Sequence, residues 1–230
     1  MGSVKRKIRC GGRPMTAIVL AGGRSRRMKA DKAALDVGGR TLLEHVLGQI
    51  GPYFDEIIVS VSQGQSVGLP RGAEGKTGPR LVADDVPGQG PIAGILAGLE
   101  AAQNDACMVI ACDIPDIDLP LLRALARTTC GSEITVPVGP AGLYEPLFAI
   151  YRRSVIPEIE ALLASGERSI LPLLERCRTV IVQFEDSSRI RNLNTRRDYE
   201  AYLASRPPRT AGRPGDQRGR RGQDRSQGKA

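Results

Sequence analysis

The chain has 230 residues, with 33 Lys and Arg against 25 Asp and Glu and a formal net charge of +8. That length suits one domain with a sizeable core, or one domain plus tails, and no apolar run reaches the roughly 18 residues of a transmembrane helix. The positive charge belongs to the ends: residues 1–14 carry five cations and no acid, residues 206–230 carry eight cations and two acids, and residues 15–205 are net −3. Residues 1–14 therefore read as a basic extension without the apolar segment of a secretory signal, 15–205 as the folded domain, and 206–230 as a disordered basic tail. Neither end has an aromatic residue to stack on bases, so solvated tails are expected ahead of a nucleic-acid interface. The five cysteines (Cys10, Cys107, Cys112, Cys130 and Cys177) are odd in number, scattered and free of C-x-x-C spacing. This argues against a disulfide framework and a zinc site, and for a reducing cytoplasm.

In chain order, Thr16–Ala21 reads as a buried strand and runs directly into Gly22-Gly23. Arg24, Arg26, Arg27 and Lys32 follow. Thr41 caps a helix to Ile50, with Leu42, Leu43, Val46, Leu47 and Ile50 on one face. His45 lies in this helix and reads as a surface or packing residue rather than a catalytic one. Glu56–Val61 is a second strand, 63–79 a Gly-rich loop, and Arg80–Ala83 a short strand ending on Asp84-Asp85. Pro87–Gly94 leads into a helix to about Gln103. The apolar run Ala106–Cys112 suits a central parallel strand covered on both faces. Asp118 starts a helix that tolerates Pro120 in its first turn. Glu133–Val138 and Pro146–Tyr151 read as an antiparallel pair joined by a short loop. Helices at about 154–164 and 169–176, a strand at Thr179–Phe184 and a last helix to about Ala204 complete the domain. Thr195 and Asp198 are spaced as a capping box for that last helix. Alternating strands and helices predict a three-layer α/β domain with a mostly parallel, mixed sheet.

Four predicted strand ends carry chemistry: 22–32 is cationic, 60–63 hydroxylic, and 84–94 and 113–115 acidic. In a parallel sheet they gather along one edge, where α/β proteins bind ligands. Glycines open the backbone N–H groups to a phosphate, and cations neutralise it. The loop is neither a Walker A sequence nor a G-x-G-x-x-G fingerprint, because the required later glycines are missing. Asp113, directly after a buried strand, suits Mg²⁺ as a hard oxygen ligand; capping or loop geometry is its bland alternative. Gly90 and Gly94 fit close ligand approach or simple loop-to-helix geometry. Asn192 and Asn194 fit a metal or phosphate contact, or a turn before a capped helix.

The stretch Leu20–Lys32, L-A-G-G-x-S-x-R-M-x-x-D-K, resembles the signature of the molybdenum cofactor guanylyltransferases, MobA-like nucleotidyltransferases with a Rossmann-like nucleotide-diphospho-sugar transferase fold. The likeness extends over about residues 16–203, through Gly90-Pro91-Ile92-Ala93-Gly94, the D-x-P stretch at Asp113 and N-x-N-T at Asn192–Thr195. It implies transfer of GMP from GTP to molybdopterin with Mg²⁺. It implies nucleotide contacts at Leu20, Ala21, Gly22, Gly23, Lys32, Asp84 and Asp113, with Asp84 chosen over Asp85 for guanine or ribose. Metal would sit on Asp113, with Asn194 as a further ligand, and catalysis would use Lys32, Arg27 and Asp113. Molybdoenzymes or other cofactor-biosynthesis proteins are the implied partners, with no membrane and no nucleic acid. The pterin-bearing substrate would approach near Tyr144-Glu145-Pro146-Leu147. The chain departs from the family pattern at Lys29, where glycine is usual, and at Ser60 and Ser62, where many relatives have asparagine. A cytidylyltransferase, a sugar-phosphate nucleotidyltransferase and a non-catalytic nucleotide-binding protein with basic docking tails are the alternatives. Gly22-Gly23, where cytidylyl relatives read L-A-A-G, favours guanine.

Overall fold

The structure, a computed structural model, describes residues 6–22, 32–69, 78–84 and 88–206. Its main sheet combines β3 (Thr16–Leu20), β4 (Glu56–Val61), β5 (Arg80–Ala83), β6 (Ala106–Ala111), β7 (Ile134–Val138), β8 (Phe148–Arg152) and β9 (Thr179–Gln183). The strand order is β5-β4-β3-β6-β8-β7-β9. β8 runs antiparallel to both its neighbours, and the other pairings are parallel.

Side-chain alternation makes the layers. In β3, Ala17 and Val19 face one apolar cluster, and Ile18 and Leu20 face the other. In β6, Met108 and Ile110 face the first, and Cys107 and Val109 the second. A strand whose successive residues are all apolar is what burial on both faces requires. The first cluster takes Leu43, Val46 and Leu47 of α1 (Leu42–Ile50) and Leu121, Leu122 and Leu125 of α3 (Leu119–Thr128). The second takes Ile92, Ile95 and Leu99 of α2 (Pro91–Ala101), Ile159 and Leu162 of α4 (Ile156–Ala164), and Leu173 and Leu174 of α5 (Leu171–Arg176). The expected three-layer α/β architecture is the observed one. α2 packs so closely on β3 that a Cβ on Gly98 would lie 2.5 Å from Ile18 Cγ2.

Two elements begin as the sequence predicts. Thr41 and Glu44 form a capping box on α1, and Thr195 and Asp198 form one on α6 (Arg196–Ser205). One boundary moves. Residues 6–14, expected as an extension, include a two-stranded hairpin of β1 (Arg9–Cys10) and β2 (Arg13–Pro14). Ile8 and Cys10 are buried in the first cluster, and Ile8 N–H donates to Tyr53 O at 2.9 Å. The basic composition hid this, because only these two apolar side chains anchor the segment. The tail beyond Arg206 lies outside the described residues. Among the described residues, no helix is long and apolar enough to cross a membrane.

Candidate active site

Register places the carboxyl ends of the parallel strands on one edge. Leu20 pairs with Ser60 on one side and Ala111 on the other, and Val61 pairs with Ala83. β3 is also where the chain order reverses: β4 and β5 lie to one side and β6 to the other. The crevice at such a switch point is where open α/β sheets bind ligands.

The centre of this edge is a three-residue contact. Lys32, opening a short 3-10 helix (Lys32–Ala34), donates from Nζ to Asp113 Oδ2 at 2.7 Å and to Asn194 Oδ1 at 3.2 Å. The Lys32 and Asp113 side chains are only 17% and 18% exposed. Asp113 follows β6, and its carbonyl accepts from the Leu193 N–H at 2.8 Å, which ties the 191–195 segment to the end of β6. Two residues, 81 and 162 positions along the chain from Lys32, thus meet on its ammonium group. Two hard oxygens from different loops, already arranged around a cation, are donors of the type a divalent ion takes.

Leu20 ends β3, and Ala21 and Gly22 follow it at this edge. Ala21 N–H donates to Ser60 O at 2.8 Å, and Ala21 O accepts from Gln65 Nε2 at 3.0 Å. Gly22 lies against the end of β4: a Cβ there would be 2.9 Å from Ser62 N and 3.0 Å from Ser62 Oγ. Glycine is thus set here by close approach of two strand ends. Asp84 is buried beside the same end, where its Oδ1 accepts from Gln63 N at 3.3 Å. Gly23, Arg24, Arg26, Arg27 and Asp85 lie outside the described residues. Of the two glycine alternatives, packing accounts for Gly94, whose Cβ would lie 3.0 Å from Ser60 Oγ. Gly90 holds a φ of 77° at the start of α2, a backbone shape that favours glycine.

One acidic side chain at this edge was not singled out from sequence. Glu145 precedes β8, and Asn192 Nδ2 stands 3.5 Å from its Oε2. Burial pushes its carboxyl above the ordinary value; the Asn192 contact opposes this, and the Asp113 charge adds to it. The signal available was its place in the 144–147 stretch, which marked a region without choosing a residue. Gln65 was also missed, because a glutamine in a Gly-rich loop carries no periodic or motif signal.

A mixed α/β sheet that brings a glycine, a lysine and an acid to its switch point suits phosphate chemistry, and the class it belongs to is the nucleotidyltransferases. Comparison with known proteins agrees. The MobA-like NTP transferase domain matches residues 17–180. A probable molybdenum cofactor guanylyltransferase of Carboxydothermus hydrogenoformans is 31% identical over 198 residues, covering 82% of this chain and 95% of that protein. A molybdenum cofactor guanylyltransferase of Pseudomonas putida is 34% identical over 167 residues, covering 71% and 83%. Among solved structures, the molybdopterin-guanine dinucleotide biosynthesis protein A of Archaeoglobus fulgidus superposes with a TM-score of 0.65 at 25% identity, covering 82% of this chain and 97% of that one. The chain belongs to the MobA-like NTP transferase family, alongside the molybdenum cofactor guanylyltransferases.

Proposed function

We propose that this protein transfers GMP from GTP to the terminal phosphate of molybdopterin, making the guanine dinucleotide form of the molybdenum cofactor. The observation that carries the chemistry is the Lys32 ammonium joined to Asp113 and Asn194 at the switch point. A phosphate oxygen of the acceptor attacks the α-phosphorus of GTP, the α–β bridging P–O bond breaks, and pyrophosphate leaves with the bonding pair. No covalent enzyme intermediate is required. Catalysis then rests on positioning and on neutralising charge.

The roles follow from the strand ends and, for Gly23 and Arg27, from the sequence resemblance alone. The backbone of Leu20, Ala21 and Gly22 at the end of β3 meets the nucleotide phosphates, with Gly23 added by the resemblance, and Asp84 at the neighbouring strand end recognises guanine or ribose. Lys32 stabilises the departing pyrophosphate, a role the resemblance gives to Arg27 as well. The oxygens of Asp113 and Asn194 fit Mg²⁺, which would supply positive charge to the α- and β-phosphate oxygens. The Lys32 ammonium, shared between these two oxygens in the ligand-free protein, would then turn to the phosphates. The five free cysteines support a reducing compartment, the cytoplasm.

The test is pyrophosphate release with Mg²⁺ and molybdopterin, comparing GTP, CTP and ATP. Release with GTP alone is expected. Release with CTP alone would overturn the base assignment, and no release with any of the three would overturn the reaction.

A further inference from the structure

Behind the catalytic edge lies a polar cluster that the reaction itself does not use. Tyr202, on α6, donates from its hydroxyl to Asp116 Oδ1 at 3.0 Å, and the same hydroxyl lies 3.3 Å from His45 Nε2. Arg206 donates to that hydroxyl at 2.9 Å, and its guanidinium stands 5.4 Å from the ring centroid. Arg191 stands over the ring at 5.9 Å. The ring itself is only 2% exposed, in a small core with Val37, Leu42 and Leu193 that is separate from the two main clusters.

The groups that touch this ring flank the site residues. Asp116 comes three positions after Asp113. Arg191 and Leu193 bracket Asn192, and Leu193 precedes Asn194. The Leu193 N–H donates to Asp113 O at 2.8 Å, so any shift of the 191–194 segment is felt at Asp113. From α1, Gln49 holds the other flank: its Nε2 donates to Pro115 O at 2.6 Å, and its Oε1 accepts from Ile117 N at 3.0 Å. Two loops far apart in sequence are therefore held to each other from behind, by α6 on one flank and α1 on the other.

We infer that Tyr202 is a positioning residue for nucleotidyl transfer, its ring seating Leu193 and Arg191 and its hydroxyl tying down Asp116, so that one side chain sets the gap between Asp113 and Asn194. This rests on the reading of Asp113 and Asn194 as the groups that handle metal and phosphate. Burial pushes the Tyr202 hydroxyl up to about 12, so it remains a donor. The His45 imidazole, and after it the Tyr202 hydroxyl, hold Asp116 below its ordinary value against partial burial, so it remains an acceptor. Asp116 is 69% exposed, and water competes for it, so the hydroxyl contributes a moderate part of the positioning and the ring the rest.

Tyr202→Phe removes the hydroxyl and keeps the ring with its small core. The expected result is an amide of Leu193 that exchanges with solvent about tenfold faster, while the amide of Val109 in the central strand exchanges as in wild type. In the same variant kcat falls about three- to tenfold with the KM for GTP within about twofold, because misplaced groups slow the chemical step without weakening uniform binding. Asp116→Ala gives the same pattern, and the double variant is no slower than the slower single one. The inference is overturned if Leu193 exchange stays at the wild-type rate, if Val109 accelerates in step with it, or if kcat is unchanged. Wild-type protein that releases no pyrophosphate would overturn the functional reading instead, and the exchange experiment would still decide whether Tyr202 holds the two loops together.

Discussion

Removing the Lys32 ammonium should separate its structural role from its catalytic one. In the ligand-free protein, Lys32→Ala deletes a 2.7 Å charge-assisted hydrogen bond to Asp113 and a 3.2 Å one to Asn194. A hydrogen bond to a charged group contributes about 1.5–3 kcal/mol, and partial solvent access to both side chains lowers this to about 1–2 kcal/mol. The remaining Asp113 carboxylate also keeps its repulsion with Glu145, no longer offset by a cation. For a domain of this size the loss corresponds to a melting temperature lower by about 3–6 °C. Mg²⁺ should then raise the melting temperature of the variant more than that of wild type, since the ion replaces the missing charge between the same oxygens. The effect on turnover should be far larger. Loss of one donor to a developing phosphate charge slows kcat by about 10²–10³. Both quantities are read on the same preparation, by thermal unfolding with and without Mg²⁺ and by pyrophosphate release at saturating GTP. A kcat within about threefold of wild type would refute the assignment of Lys32 to the phosphates. A melting temperature raised equally by Mg²⁺ in both proteins would refute the shared oxygen site.

Other perturbations test separate links. Asp113→Ala should abolish pyrophosphate release while its far-ultraviolet circular dichroism stays that of wild type; measurable full activity would remove Asp113 from the mechanism. Gly22→Ala and Gly98→Ala form a contrast. Each forces a Cβ into occupied space, 2.9 Å from Ser62 N in one case and 2.5 Å from Ile18 Cγ2 in the other. Each should lose about 1–3 kcal/mol in urea unfolding. Only Gly22→Ala should raise the KM for GTP, because Gly98 lies on the helix-packing face away from the edge. Glu56 gives a pH dependence. Burial opposes its ionisation, but hydrogen bonds from Thr16, Arg80 and the Gln103 N–H outweigh that and hold its carboxyl below 4.5. A carboxyl lowered on folding stabilises the protein above its unfolded value, and this stabilisation is lost as pH falls through the folded value. The stability difference between wild type and Glu56→Gln should therefore be full at pH 7 and shrink on acidification below about pH 4.5. A difference that stays constant down to pH 3 would contradict the assignment.

Much of the fold was legible because its signals are local. Ala106–Ala111 is apolar at every position and lies at the sheet centre with both faces covered. Thr41 announced its helix as a cap and Thr195 through a capping box with Asp198, and both caps are present. The pairing of β7 with β8 was readable from the short connection between them. The insertion of β8 between β6 and β7 was not, because no local pattern states which strand a hairpin docks against. The site divides in the same way. Asp113 and Lys32 lie in recognisable stretches, and the structure puts them in contact. Glu145 depends on that unreadable strand order. Tyr202 depends on a helix folding back across the molecule to Asp116 and His45, and its sequence neighbourhood is that of an ordinary amphipathic helix.

The reversal of β8 gives one sheet edge two kinds of boundary. A parallel strand brings only its carboxyl end to this edge, so β3, β4 and β5 each end there once. β8 runs the other way, so the whole connection from Val138 to Phe148 begins and ends at that same edge. Exposed Leu143 and Tyr144 and half-buried Glu145 lie on this connection. β9, parallel to β7, then exits at this edge too and sends 191–195 back to Asp113. The ends of β3, β4 and β5 on one side and the β7–β8 connection on the other leave the end of β6 between them. That is where an in-line attack on an α-phosphate needs its fixed charges. The Lys32–Asp113–Asn194 contact lies at this junction because it is where the two halves of the sheet share an edge.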